Sequence, residues 1–295
     1  MLYGELSAFC AAVLWSFSSL VFTSAAQRLG SLMLNITRMA LASVFLIITL
    51  AIIGESHLPS LSQIFWLSVS GFVGLVLGDT FLFKAYTILG PRVSSLVMAS
   101  NPAMAAILAF MFFGESIAPL GILGMALTLG GISLVVGEKK AQDQSKFTIN
   151  KMGIIYAIGA ALGQASGLIF AKIALAEAPI HPLSATLIRI FTSVLMLIPI
   201  MLVLKKMKNP VKIFAEDKKS LGLVFIGSII GPYLGIALSF IAISYAKVGI
   251  ASSLMSTTPL LILPLAKFVY KEKISRRAIV GAFIGVAGVI VLFMK

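Results

Sequence analysis

The chain has 295 residues, 59% of them hydrophobic and 11% charged, about half the charge share of a soluble domain. That composition leaves too little polar cover for a fold in water, and lipid is its expected solvent. The formal charge of +13 would suit nucleic acid, but the basic residues lie in short connections between apolar runs and no nucleic-acid-binding motif accompanies them, so no such partner is expected.

A helix of about 20 apolar residues covers roughly 30 Å of hydrocarbon. Ten runs meet that length: 3–25, 32–53, 62–86, 92–113, 117–137, 152–175, 182–204, 220–245, 248–270 and 275–294. The first starts at Leu2 with no basic leader and no cleavage site, and reads as a retained helix rather than a signal peptide. It carries Trp15, Ser16, Ser18 and Ser19, together with Cys10, the only cysteine, which excludes an intrachain disulfide and a multi-cysteine metal site. The second span holds Arg38. The third holds Asp79 and, near its end, Lys84, which snorkelling explains.

The fourth span follows Pro91 and contains Ser100, Asn101 and Pro102 near its middle. Pro102 removes an amide donor and frees the carbonyl of Met98, which predicts a kink. Glu115 lies at the turn to the fifth span, where an acid complements the next helix dipole. The polar stretch Glu138–Lys151 is the one clear linker, dividing the chain into 1–138, a linker 139–150, and 151–295. Beyond it the sixth span offers Gln164 and Ser166, the seventh Arg189, and the eighth Tyr233 and Ser239. The ninth resembles the fourth, with Thr257, Thr258 and Pro259, the last freeing Met255; Glu272 marks the turn to the tenth, which Ser275 can cap. His57 and His181 flank span ends near prolines and read as neither ligand nor base.

Gly74–Glu115 recurs at Gly231–Glu272, one constant shift of 157 residues. Gly74, Gly78, Ala85, Ser95, Pro102 and Glu115 align with Gly231, Gly235, Ala242, Ser252, Pro259 and Glu272, and Gly124 and Gly131 with Gly281 and Gly288. Five spans on each side of the linker force opposite orientations, so the expected fold is an all-α integral membrane protein of ten transmembrane helices in two inverted five-helix repeats. The connections on one face hold most of the basic residues, Lys205, Lys206, Lys208, Lys271, Arg276 and Arg277 among them. The positive-inside rule makes that face cytoplasmic, with the connections between spans five and six, seven and eight, and nine and ten inside a plasma membrane and both termini outside.

A charge at a helix centre costs on the order of 2.5–3.5 kcal/mol on insertion scales, so Arg38, Asp79 and Arg189 are expected to face protein or water. Arg38 and Asp79 lie at similar depth from one face, which makes an ion pair feasible, either as a clamp between spans or as a gate and proton-coupling site. For Arg189 the candidate partners are Glu5 and a solute carboxylate. Asp79 has no acidic counterpart, since Ile236 takes the matching place. The expected solute cavity gathers Trp15, Ser19, Arg38, Asp79, Ser100, Asn101, Gln164, Arg189, Tyr233, Ser239, Thr257 and Thr258, with Pro102 and Pro259 as kinks. The hydroxyls and small residues among them equally suit ordinary helix packing.

The Gly78-Asp79 and Ala85 pattern, the run from Ser95 to Pro102, Phe113-Gly-Glu115, and the glycines Gly121, Gly124, Gly130 and Gly131, with second-half counterparts from Ser252 to Pro259, Lys271-Glu272, Gly281, Gly285 and Gly288, resemble the drug/metabolite transporter superfamily, in particular its EamA-type ten-helix branch. Arg38 and Arg189 match that family's tendency to carry an arginine in the second and seventh spans. The resemblance implies export of metabolites or drugs, often amino acids, through a central cavity; family members are generally drawn with both termini cytoplasmic, unlike the charge bias here. The expectation is a secondary transporter that exports or exchanges small metabolites, amino acids or related zwitterionic or anionic solutes, by alternating access. Its partners are then a small-molecule solute and the lipid bilayer, a monomer suffices, and no cofactor or metal is required. The alternatives are a multidrug exporter of lipophilic cations, disfavoured because Ala12–Ser19 lacks a carboxylate, and a non-transporting scaffold. An enzyme is not expected, because no HExxH, Gly-x-Ser-x-Gly or clustered His/Asp set is present.

Overall fold

The computed structural model describes residues 2–294 apart from 56–58, 115, 117, 138–146, 247 and 272–273. Every regular element among the described residues is helical. The physical reason is the solvent: a lipid-embedded backbone must satisfy its own N–H and C=O groups, and a helix does so within one segment. Helices α1 (Leu2–Leu29) and α2 (Ser31–Ile53) are continuous, after which α3 (Leu61–Gly71) runs through a π-helical segment (Phe72–Gly78) into α4 (Asp79–Met98), followed by α5 (Asn101–Phe113) and α6 (Pro119–Val136). The second half has α7 (Lys151–Glu177), α8 (Pro182–Val203), a short α9 (Pro210–Glu216), α10 (Lys218–Ser228), a second π-segment (Ile229–Tyr233), α11 (Leu234–Tyr245), α12 (Val248–Met255), α13 (Thr258–Tyr270) and α14 (Arg276–Phe293). Among the described residues, seven helical stretches are long and apolar enough to cross a membrane. Ile52, Phe65, Met111, Phe112 and Phe268 are among the large apolar side chains left more than half exposed, an outer surface suited to lipid.

Local sequence sets the helix ends. Ser60 and Gln63 form a reciprocal capping box at the start of α3; Asn150 accepts the amide of Gly153 at α7, and Ser275 that of Ala278 at α14. Gly90 turns the chain inside Asp79–Met98 with φ +78°, a left-handed conformation that glycine adopts without penalty, and Pro91 restarts the helix.

The structure corrects the expected proline kinks. Pro102 and Pro259 do not bend continuous helices; each lies in the first turn of a new one, after a break at 99–100 and 256–257. A first-turn proline lacks only an amide that would have been unpaired anyway, so a full break accommodates it better than a kink. In the second half the Thr258 hydroxyl donates to the Met255 carbonyl at 2.8 Å, filling the acceptor that Pro259 leaves open.

Boundaries in the second half repeat those of the first. Lys218–Ser228, Thr258–Tyr270 and Arg276–Phe293 each lie 157 residues after Leu61–Gly71, Asn101–Phe113 and Pro119–Val136, and the second π-segment starts 157 residues after the first. The starts of α7 and α8 follow those of α1 and α2 by 149 and 151 residues. The difference in interval is absorbed by the seven-residue α9, an insertion before α10.

Packing pairs follow the same pattern. α7 lies antiparallel along α3, the first π-segment and α4, with Gly167 against Gly74, Gly163 against Gly78 and Gly153 against Leu89. α1 lies antiparallel along α10, the second π-segment and α11, with Phe22 against Gly227, Ser18 against Gly231 and Trp15 against Gly235. α6 and α14 cross antiparallel and glycine to glycine, Gly124 meeting Gly288 and Gly131 meeting Gly281 and Gly285. The Thr128 hydroxyl, bonded to the Gly124 carbonyl at 2.9 Å, also reaches the carbonyl of Gly285, 157 residues on, at 3.4 Å. Around Met39, Leu46, Leu197 and Met201 an apolar core joins α2 to α8.

Candidate functional site

The first π-segment delivers Asp79 to the interior. Its wider turn ends at Gly78, and Asp79 opens α4 with 6% of its surface exposed. Arg38 Nη2 of α2 pairs with Asp79 Oδ2, and Gln164 Nε2 of α7 donates to Oδ1 at 2.5 Å. The same guanidinium donates through Nε and Nη2 to Asn35 Oδ1, one turn earlier on α2, at 3.2 and 3.0 Å. Asn35 in turn donates to the Leu75 carbonyl in the π-segment at 2.8 Å and to Thr80 Oγ1 at 3.0 Å. Phe83 and Phe22 present ring faces 4.7 and 5.5 Å from Arg38 Cζ, which offsets desolvation of the cation.

Arg189 of α8 approaches the cluster from the opposite side. Its carboxylate neighbour in the cluster is Asp79. Gly74 lies beside it: a Cβ there would be in ordinary van der Waals contact, 3.5 Å from Arg189 Nη2 and 3.8 Å from Gln164 Oε1. Arg189 makes no ion pair within 4 Å among the described residues, and its buried Nε has no hydrogen-bond partner there. The cluster therefore combines two guanidiniums, one carboxylate and two carboxamides, with one positive charge in excess and one donor unfilled.

Comparison with known proteins places this architecture. The model of the EamA-like transporter family matches the chain twice, over residues 2–137 and over 151–294. The chain belongs to the EamA-like transporter family. EamA-like proteins are transporters, not enzymes, and this one is accordingly a multi-pass membrane protein. A solved crystal structure shares its fold with a TM-score of 0.65 at 18% identity, over 98% of this chain and 95% of the other. Among curated proteins there is no match.

In this EamA-like chain most of the remaining sequence candidates hold partners of their own. Ser19 donates to the Ser16 carbonyl, Ser100 to Val97, Ser239 to Ile236, and Thr257 to Leu254, each at 2.7 Å and each within its own helical turn. Asn101 sits half-buried at the first position of α5, and Trp15 packs its indole nitrogen against Gly235. The Tyr233 hydroxyl meets Thr49 Oγ1 at 2.8 Å and ties the second π-segment to α2. His181 caps α8, accepting the Leu183 amide at 3.3 Å. Glu115, Glu272 and His57 lie outside the described residues. Asn35 and Thr80 were not singled out from the sequence; the usable signal was Asn35 three residues before Arg38, on the same helical face.

Proposed function

We propose that this EamA-like protein is a secondary carrier that exports or exchanges small zwitterionic or anionic metabolites, amino acids first among them, by alternating access. The observation that carries this reading is Arg189, whose buried Nε is left without a partner beside an Arg38–Asp79 pair that is already complete. An unfilled buried donor costs about 1–3 kcal/mol, a cost that a solute carboxylate would remove by accepting from the planar guanidinium in bidentate fashion. The excess positive charge disfavours a lipophilic cation as the solute.

Alternating access needs two comparable halves. The antiparallel α6–α14 crossing and the recurring boundaries support two inverted five-span repeats, joined through the linker 139–150. The charge bias supports a plasma-membrane orientation with the basic connections cytoplasmic and both termini outside. In this arrangement Asp79 is also the coupling group: a proton on its carboxyl would dissolve the Arg38 pair and loosen α2 against α4.

Counterflow of labelled amino acids in proteoliposomes tests the proposal. The wild type is expected to show trans-stimulated exchange, and Arg189→Gln to lose it by at least about tenfold, the loss expected for one charge-assisted hydrogen bond. Asp79→Asn is expected to retain counterflow and lose uptake driven by a pH gradient. Unaltered exchange in Arg189→Gln would remove the carboxylate anchor, and absence of exchange for every amino acid by folded protein would remove the carrier reading itself.

A further inference from the structure

We propose that the groove between α13 and α14 binds one anionic phospholipid of the cytoplasmic leaflet, with Lys267 on its phosphate and the acyl chain against both helices. Leu260, Leu263, Pro264 and Lys267 share one face of α13, and Ile279 and Phe283 form the facing wall on α14, around a volume of about 350 Å³. Lys267 stands exposed one turn before the end of α13, and no carboxylate of the described residues lies within ion-pair distance of it. Pro264 withdraws the amide that would have met the Leu260 carbonyl, which leaves an acceptor at the wall of an otherwise apolar groove. On the other side of Pro264 a smaller groove of about 190 Å³ is lined by Val13, Ser16, Phe17, Leu261 and Leu265 and carries no charge.

Charge selects the occupant. From Lys267 to Arg277 the sequence holds five basic residues, Lys267, Lys271, Lys273, Arg276 and Arg277, and one acid, Glu272. At the places 157 residues earlier stand Phe110, Gly114, Ser116, Pro119 and Leu120, none of them cationic, and Ile107 replaces Pro264. In the inverted arrangement proposed above, on which the choice of leaflet rests, the two related faces lie in opposite leaflets. The basic groove then occurs only on the cytoplasmic side, where anionic lipids concentrate and each interfacial Lys or Arg adds attraction. A lysine that merely snorkels needs no groove beside it and no such asymmetry.

Native mass spectrometry of the detergent-solubilised chain reads lipid retention directly and is independent of transport, so its outcome and that of counterflow are separable. Phosphatidylglycerol is expected to be retained over phosphatidylcholine, and Lys267→Gln to weaken that retention about fivefold, the effect of one interfacial cation. Ile279→Trp, which fills the groove and keeps every charge, is expected to expel the lipid, whereas Lys151→Gln on the same membrane face leaves it bound. Phe283→Trp serves as a second plug should the first variant fail to fold. Equal losses in Lys267→Gln and Lys151→Gln would reduce the effect to diffuse attraction and overturn the site. Retention by both plugged variants, or competition by soluble glycerol phosphate at matched concentration, would also overturn it.

Discussion

Arg38 and Arg189 stand 151 residues apart, the interval that separates the starts of α2 and α8, and Gln164 stands 149 residues after Trp15, the interval from α1 to α7. Equivalent places in the two halves thus hold Arg and Arg, Trp and Gln, Ile236 and Asp79, and the single carboxylate pairs with Arg38 and not with Arg189. The same intervals relate two contacts at helix ends. Arg28 grips Asp217 through Nη2 and Nε at 2.8 and 2.9 Å, and Glu177 accepts from Ser62 at 2.5 Å and from Ser60 at 3.2 Å. Hydrogen bonds from Arg28 first, then from Ser220, hold the Asp217 carboxyl well below the usual carboxylate range. A depressed folded-state pKa gives stability that is present above the unfolded value of about 3.9 and is lost as pH falls through the folded one. Melting of the wild type and Asp217→Asn should therefore keep a constant separation from about pH 5 to 8 and converge only in strong acid; a gap that closes between pH 8 and 6 would assign the contact to another group. The charged residues of the site were legible because ions are rare inside apolar spans. Serine and threonine candidates were less so, since a hydroxyl bonded to its own helical turn and one facing a solute look identical in sequence.

Helix ends and turns came through from local chemistry: Pro91 and the Ser275 cap both predicted boundaries that the structure shows. The π-segments and the helix breaks before Pro102 and Pro259 did not, because continuous hydropathy carries no information on which hydrogen bonds of a helix are made. Neighbouring glycines were equally opaque, although their roles differ sharply. A Cβ on Gly131 would stand 2.5 Å from the Gly281 carbonyl oxygen and 2.7 Å from Gly285 Cα, both backbone atoms, whereas one on Gly130 would meet nothing within 4 Å. Gly131→Ala should then destabilise the α6–α14 crossing by about 1–3 kcal/mol, as overpacking generally does, and lower the melting temperature. Gly130→Ala should leave it unchanged or raise it slightly, since alanine favours a helix over glycine by about 0.8–1.0 kcal/mol. Thermal unfolding in detergent of the two variants, side by side, decides between a glycine required by packing and one that is incidental; equal shifts would mean that α6 and α14 do not meet at Gly131.

At the scale of the molecule, packing partners come in reciprocal pairs: α3 on α7 with α10 on α1, α5 on α7 with α13 on α1, and α8 against the first π-segment with α2 against the second. Pairs such as α6–α14 and α2–α8 join equivalent elements to each other, as happens where an approximate twofold axis passes between them. Such an axis lies in the membrane plane only if related residues face opposite compartments, and two exposed positions separate the possibilities. Leu61 begins α3 and Lys218, 157 residues later, begins α10. In a Cys10→Ser background, Leu61→Cys should react with an impermeant maleimide in intact cells, and Lys218→Cys only after permeabilisation. The reverse pattern would preserve inversion and turn the whole molecule over, placing both termini in the cytoplasm. Reaction of both from one side would make the halves parallel, and a carrier that opens its two faces in turn by exchanging the roles of equivalent helices would no longer follow from this fold.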